Sequence, residues 1–510
     1  MPAPSARSFV SCESALSTTF VPTPTSRCRF GISRCNITPP VGIYHRMWGA
    51  SLHDRSTGVH RPLLATVIAM SPLGPDEATQ FIIALDHCLL RPAEMRRLHD
   101  EVSRISGIPA HRLLFTFSHT HAAGYLTRLR ADLPGGDLIA PYLDSLPQRL
   151  AAACLCAHVG MQAAHLTYAS TVCSLGRHRD YWDDAQQKFG CGFNPDGKAE
   201  QTVLVVRVTD RNDQVIATIV NYGCHPTTLA WRNTLISPDY VGTLRETVEQ
   251  ATRAPCAFLL SPCGNVGPWY GYVEDPAVAE RHGRQLGYAA LSALESMPPA
   301  GQDYHYEGLL VSGATLGLWG FRPLSQERKQ QAAAHAAQAL TIELDYLPGL
   351  PTPAQAQQQF KELSEREADC LARADAERAR GGSAAAELQQ IRALAERARR
   401  AIDRVGSLPE GPRYPYQAWV WRWGDALWVA LEGEPYNEIQ ARLRQEFADR
   451  PVLIVVLANG SRSWYIPARD AYDKPSPTYP VEIAVVAPGS LERIGDALAA
   501  QIRTWLQAPE

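Results

Sequence analysis

From Leu113 to His121 the chain alternates. Leu113, Phe115, Phe117, His119 and His121 fall on one side of an extended backbone, and Leu114, Thr116 and Ser118 fall on the other. A period of two predicts a strand. Its first face begins apolar and ends in two imidazoles, just before the turn Ala122-Ala123-Gly124. Histidines at the carboxyl end of a buried strand suit metal ligation or catalysis; they also suit a hydrogen-bonded pair inside a core.

The same pattern recurs along the chain. Strands are predicted at Leu63 to Met70, Phe81 to Leu85, Val203 to Val208, Val215 to Val220 and 306–318. Thr209 to Asp213 reads as a hairpin turn. The strand ending at Val220 runs into Asn221-Tyr222-Gly223-Cys224-His225-Pro226, so His225 also lies just past a strand end. Phe258-Leu259-Leu260 feeds Ser261-Pro262-Cys263-Gly264-Asn265-Val266-Gly267-Pro268. That loop either brings backbone N–H groups to a ligand or is a plain turn. Further strands at Ala418 to Trp423, Leu427 to Leu431 and Val452 to Leu457 deliver Glu432-Gly433-Glu434-Pro435 and Trp464-Tyr465-Ile466-Pro467.

Helical spacing marks Pro92 to Ser106 (Met95, Leu98, Val102 and Ile105), closed by Gly107. It also marks 136–158, Pro276 to Leu294, a helix up to Phe447, and Leu491 to Leu506. Ser237-Pro238 reads as the N-cap and first turn of another helix. Strand and helix thus alternate, which predicts an α/β fold, mixed α+β in detail, with a layered sheet core and flanking helices. Residues 325–405 differ: they are rich in Ala, Gln, Glu and Arg, and Pro348 to Pro353 and Gly381-Gly382 interrupt them. They read as a helical hairpin inserted in the body. The predicted division is a mobile tail at 1–27, a catalytic domain in two parts at 28–324 and 406–510, and the insertion at 325–405.

Composition narrows the function. The chain has 510 residues, 45% hydrophobic and 20% charged, with a net charge of -3. That describes a globular protein with no basic stripe for nucleic acid. No run of apolar residues is long enough to span a membrane, and no apolar segment follows Arg7 as a secretion signal would require. The 12 cysteines include no Cys-x-x-Cys. Reduced thiols and a cytoplasmic setting are therefore expected. Spacing alone says nothing of the oligomeric state.

Four strand ends carry chemistry: His119 with His121, His225, Glu434 and Tyr465. Two histidines and one carboxylate with an open position make a common catalytic zinc set, and strand carboxyl ends are where α/β sheets gather ligands.

These stretches resemble the neutral ceramidase family, in its zinc-dependent N-terminal catalytic domain. Asn36-Ile37-Thr38-Pro39-Pro40 is similar to the family's Asp-Ile-Thr opening, and Gly58-Val59-His60 to its Gly-Ile/Val-His. Ser118-His119-Thr120-His121 is similar to Thr/Ser-His-Thr-His. Cys224-His225-Pro226-Thr227 with Leu235 to Tyr240 resembles the second histidine region. Asn194-Pro195-Asp196-Gly197, Gly433-Glu434-Pro435 and Tyr465-Ile466-Pro467 complete the series in order. The resemblance implies zinc held by His119, His225, Glu434 and Tyr465, with Glu432 as an alternative to Glu434. It places His121 beside the metal and Arg177 near the site, and it makes His121, Arg177 and Tyr465 the catalytic candidates. The sequence departs at Gly264-Asn265-Val266-Gly267-Pro268, where the family's Gly-Asp-Val-Ser-Pro carries a proposed nucleophilic serine. No immunoglobulin-like C-terminal domain is read either. The expectation is hydrolysis of an amide by zinc-activated water, on a small-molecule substrate other than ceramide. An ester or lactone hydrolase, or a silent binding protein with this fold, are the alternatives.

Overall fold

The computed structural model describes residues 19–74, 79–378 and 385–507. Its larger sheet contains β1 (Thr25–Asn36), β2 (Leu64–Ser71), β3 (Gln80–Leu85), β4 (Leu113–Phe117), β5 (Gln162–Val172), β6 (Thr202–Thr209), β7 (Val215–Tyr222) and β8 (Cys256–Leu260). Their spatial order is β8-β7-β6-β5-β1-β2-β3-β4. The inner pairs are antiparallel, whereas the pairs at both edges, β7 with β8 and β3 with β4, are parallel. Each parallel pair needs a crossover. Helix α1 (Pro92–Ser106) supplies one, and α3 (Tyr240–Thr252) supplies the other; α2 (Ile139–Val159) and α4 (Pro276–Glu295) also pack on this sheet. A second sheet runs β9 (His335–Asp345), β10 (Arg413–Trp423), β11 (Ala426–Leu431) and β12 (Val452–Val455), with the last pair parallel.

The sheets stack face to face with helices outside. Strand residues therefore alternate between two cores. On β6, Val203 and Val205 join the core under the helices, while Leu204, Val206 and Val208 meet Trp421, Trp423 and Trp428 of the second sheet. With both faces buried, these strands read as continuous apolar runs. The segment after β12 ties the two far edges of the large sheet together. Val456 N–H donates to Leu260 O at the end of β8 (3.0 Å), and Asn459 N–H donates to Phe115 O of β4 (2.8 Å). Thr116 Oγ1 also donates to Val456 O at 2.8 Å. The carboxyl ends of β4 and β7 thereby face one place.

Three expectations are corrected. Asp239, at φ 53°, is the N-cap of α3, accepting from Tyr240 N–H; Ser237 instead pairs with His60 and accepts from Asp239 N–H. Within the predicted tail, Phe20–Val21 is strand and Thr25 begins β1, while residues 1–18 lie outside the described residues. The segment 325–405 is not wholly helical. Its hairpin is α5 (Pro353–Arg378) with α6 (Ala385–Gly406), but β9 precedes it at the edge of the second sheet. The alternation of Leu340, Ile342 and Leu344 is the strand signal there, and Ile342 and Leu344 are buried with Tyr414 and Tyr416. The surrounding Ala and Gln, good helix formers, masked it. Gly381-Gly382 lies outside the described residues. Helices α7 (Glu438–Glu446) and α8 (Ser490–Gln507) cover the second sheet.

Candidate metal centre

His119 leaves β4 through a left-handed backbone turn, at φ 68°. Non-glycine residues rarely adopt that conformation, and it costs about 1–3 kcal/mol where it occurs. The His119 Nδ1–H donates to Cys88 O at 2.6 Å, in the turn after β3. His225, past β7, is held the same way: its Nδ1–H donates to Cys263 O at 2.7 Å. A carbonyl only accepts, so each Nδ1 carries a proton and each Nε2 is the ring nitrogen left for Glu434 or a cation. That arrangement is how metal-ligating imidazoles are oriented.

Both Nε2 atoms face one carboxylate. His119 Nε2 lies 3.1 Å and His225 Nε2 3.3 Å from Glu434 Oε2. The Tyr465 hydroxyl is 3.2 Å from His225 Nε2. Glu434 and Tyr465 are neighbours because Glu434–Pro435 and Tyr465–Ile466 form a short parallel ladder. Gly433, at φ 71°, permits it: a Cβ there would sit 2.2 Å from Ser463 Oγ. All four side chains are almost fully buried. Burial would push the Glu434 carboxyl up, but His119 and His225 beside it outweigh burial and hold it well below the usual carboxylate range. Burial lowers His225 to about 4, with Arg179 adding to the shift. Two imidazole nitrogens, a carboxylate and a phenol oxygen meeting at one buried point make a donor set that suits a cation.

Between the two glutamates of the sequence reading, Glu434 is the one beside the histidines. Glu432 points elsewhere: it accepts from the Tyr414 hydroxyl and from Ser463 N–H (3.2 Å), and it lines a separate cavity. His121 stands next to the group without joining it. Its ring is 5.0 Å from that of His119 and 6.0 Å from that of His225, and its Nε2 is buried with no partner.

A cavity of about 420 Å³ opens onto these residues. Trp48, Trp231 and Tyr272 form an aromatic wall, with Trp48 5.1 Å from the His121 ring. Helix α6 forms another, contributing Ala393, Glu396, Arg397 and Arg400. Arg177 is half-buried on the strand Gly176–His178, opposite Gly267, and does not line the cavity. Arg179, two residues on, does. It is buried over the Tyr465 ring at 5.2 Å, it donates to Gly264 O at 2.6 Å, and its Nε has no partner. Sequence reading missed Arg179, which lies just past the end of that strand. It also missed Thr227 and the aromatic wall. A Cβ at Gly267 would lie 3.9 Å from both Arg179 and Thr227 Oγ1, so the position where the family motif has serine borders the cavity. Ser261 and Ser237 are tied up, with Gln440 and with His60. The remaining motif residues are scaffold. Asn36 Oδ1 accepts from Thr38 N–H (2.8 Å), and Asn194 accepts from the turn at Asp196 and Gly197.

No family model matches the sequence, and no curated protein matches it. Solved structures do. The chain superposes on neutral ceramidase from Pseudomonas aeruginosa with a TM-score of 0.60 at 15% identity, over 96% of this chain and 76% of that one. It superposes on a ceramidase complexed with C2 with a TM-score of 0.61 at 14% identity, over 96% and 77% of the two chains. The fold is that of neutral ceramidase, in a strongly diverged sequence.

Proposed function

We propose that this protein is a zinc-dependent hydrolase cleaving an amide bond in a small substrate other than ceramide. The observation that carries the reading is the meeting of His119 Nε2, His225 Nε2, Glu434 Oε2 and the Tyr465 hydroxyl at the floor of a cavity, with each imidazole fixed through Nδ1. The ceramidase fold supports it independently. Those four residues would hold the ion. A bound zinc ion would polarise a carbonyl and bring the pKa of a water to about 7.

The chain's own residues then have distinct tasks. Arg179 and Tyr465 lie together, where their N–H and O–H groups can stabilise negative charge developing on a carbonyl oxygen. Arg179 takes the role that the sequence reading gave to Arg177. The unpartnered His121 Nε2, backed by Trp48, can accept a proton from the attacking water and return it to the leaving nitrogen. Gly267 provides no nucleophile beside the cavity, so the reaction runs without a covalent serine intermediate. The aromatic wall excludes water and holds the apolar part of the substrate.

The test is metal analysis of the purified protein together with a panel of N-acyl amides, esters and lactones. Stoichiometric zinc and turnover of amides support the reading. Turnover of esters or lactones alone would make it an esterase or lactonase on the same residues. Protein that neither contains nor binds zinc would be a silent ligand-binding protein, and the proposal falls. Single turnover in heavy-oxygen water places label in the product acid; an acyl adduct on any serine would overturn the serine-free route.

A further inference from the structure

A second cavity, of about 260 Å³, lies between α1 and the second sheet. It shares no lining residue with the cavity over the metal centre, and the proposed reaction does not use it. Its inner side is polar and buried: Glu432 is 5% exposed and Ser461 4%. Glu432 Oε1 is engaged twice, by the Tyr414 hydroxyl and by Ser463 N–H, but Oε2 accepts only from Gln417 N–H, at 3.4 Å. One lone pair of a buried carboxylate oxygen is therefore open. The Ser461 hydroxyl is buried with no hydrogen-bond partner. Buried polar groups left in this state cost free energy, and a ligand that completes them recovers it.

The rim carries charge of both signs. Arg462 Nε donates to the Tyr414 hydroxyl at 3.4 Å and lies 3.8 Å from Glu432 Oε1. Its terminal nitrogens have no acceptor among the described residues. Arg96 and Asp100 stand one turn apart on α1, and neither has an ion-pair partner among the described residues. Met95 and Trp419 supply apolar lining. An anion alone would meet Glu432, and a cation alone would meet Arg462 and Arg96; either leaves like charges facing each other. A zwitterion satisfies both signs. The volume equals that of about nine waters at ~30 Å³ each, room for a molecule of about as many non-hydrogen atoms.

We infer that this cavity binds a free α-amino acid. Its ammonium donates to Glu432 Oε2 and Ser461 Oγ, and its carboxylate accepts from Arg462 and Arg96, a pairing that guanidinium geometry suits. Its side chain lies on Met95 and Trp419. The inference does not depend on the chemistry at the metal centre.

Isothermal titration calorimetry of the full chain tests this, with L-leucine and L-phenylalanine as probes. The comparison ligands are 4-methylpentanoate, which is leucine without its ammonium, and 3-methylbutylamine, which is leucine without its carboxylate. One amino acid should bind per chain, and leucine at least about 10-fold tighter than either truncated analogue, as expected when a charged hydrogen-bond partner is lost. Glu432→Gln and Arg462→Gln should each weaken binding by a similar factor, with zinc content unchanged. Ser461→Ala removes only a hydroxyl and should weaken it about fivefold. Amino acids also chelate zinc, so His225→Ala is the control: it should bind leucine as the wild type does. No heat with either amino acid at millimolar concentration overturns the inference, as does a truncated analogue that binds as tightly as leucine. Binding that survives Glu432→Gln and Ser461→Ala but is lost in His225→Ala belongs to the metal centre, which also overturns it.

Discussion

The floor of the cavity and its α6 wall are built by different means. At the floor, each of the four converging side chains is fixed by main chain: His119 and His225 by carbonyls of neighbouring loops, Glu434 and Tyr465 by a shared ladder. Those loops hang from strands buried on both faces, and the segment 456–459 pins the two sheet edges, β4 with His119 past its end and β8 beside the strand that leads to His225. At the wall, the fixing runs largely through charged side chains. Arg400 and Arg130 share Glu396 Oε1 at 2.8 and 2.9 Å, and Arg397 pairs with Glu482. Main-chain fixing holds a geometry to fractions of an ångström, as chemistry needs. The Arg130–Glu396 and Arg397–Glu482 pairs join the hairpin to the body through side chains rather than through a shared ladder. Under the proposed function, the contrast would divide the labour, with the floor setting the reaction and the wall setting what enters.

The contrast breaks most severely at the floor. His225→Ala should lose the metal and lower kcat/KM by at least about 10³-fold, since it removes one of four converging groups and leaves Glu434 buried without its partner. Far-ultraviolet circular dichroism should stay close to wild type, because the imidazole is at the end of β7 rather than within it. Metal content by mass spectrometry is the decisive measurement; full occupancy in the variant would remove His225 from the ligand set.

Much of this floor was legible in the sequence, and the reason is physical. His119, His225, Glu434 and Tyr465 all lie past short apolar runs with Gly, Pro or Asn close by, and ligands gather at strand ends in an α/β sheet. What was not legible depends on contacts across the fold. The choice of Glu434 over Glu432 is made by Gly433 at φ 71° and by the Tyr414 hydroxyl that engages Glu432. Arg179 was missed for Arg177 because the strand Gly176–His178 ends between them, and only the folded backbone shows which guanidinium enters the cavity. Strand β9 was lost in a helix-forming composition, since its apolar positions acquire meaning only beside Tyr414 and Tyr416. The aromatic wall joins Trp48, Trp231 and Tyr272 from three distant loops, and no local pattern announces it.

The wall should respond in stability before chemistry. Burial would push the Glu396 carboxyl up, but Arg400, Arg130 and Arg46 outweigh burial and bring it down to about 2, against an ordinary value of 4.5. A depressed carboxylate contributes stability that is fully present above its unfolded value and is lost as pH falls from about 4.5 towards 2. The shift corresponds to about 3 kcal/mol. Glu396→Gln should therefore lower stability by about that amount at pH 7, measured by denaturant unfolding, and the gap to wild type should close as pH falls to about 2. A gap independent of pH would mean that Glu396 acts by packing.

At the same wall, Arg400→Met should sharpen the division of labour. The guanidinium is bound to Glu396 and to Met47 O, and it lies 4.5 Å over the Tyr125 ring while lining the cavity. Losing it changes the surface a substrate meets but not the group at the floor. KM should rise about 10-fold with kcat within about twofold, the signature of lost uniform binding. A fall in kcat with KM unchanged would place Arg400 in the chemistry and erase the distinction.

The smallest effect expected is at Glu432, and it tests the floor by contrast with its near neighbour. Glu432 and Glu434 are two residues apart, both buried and both at a strand end. Burial raises the Glu432 carboxyl, with Tyr414 and Arg462 only partly offsetting it, whereas Glu434 is driven the other way by two histidines. Glu432→Gln keeps the shape and an acceptor for the Tyr414 hydroxyl, so stability should drop by about 1 kcal/mol. Zinc content should stay at wild-type level and kcat/KM within about threefold, because nothing at the metal centre touches it. Glu434→Gln, the same chemical change two residues on, should lose the metal. Equal metal loss in the two variants would show that the ladder between Glu434 and Tyr465 is held in place from Glu432, and the site would then extend one shell further into the second sheet than its ligands suggest.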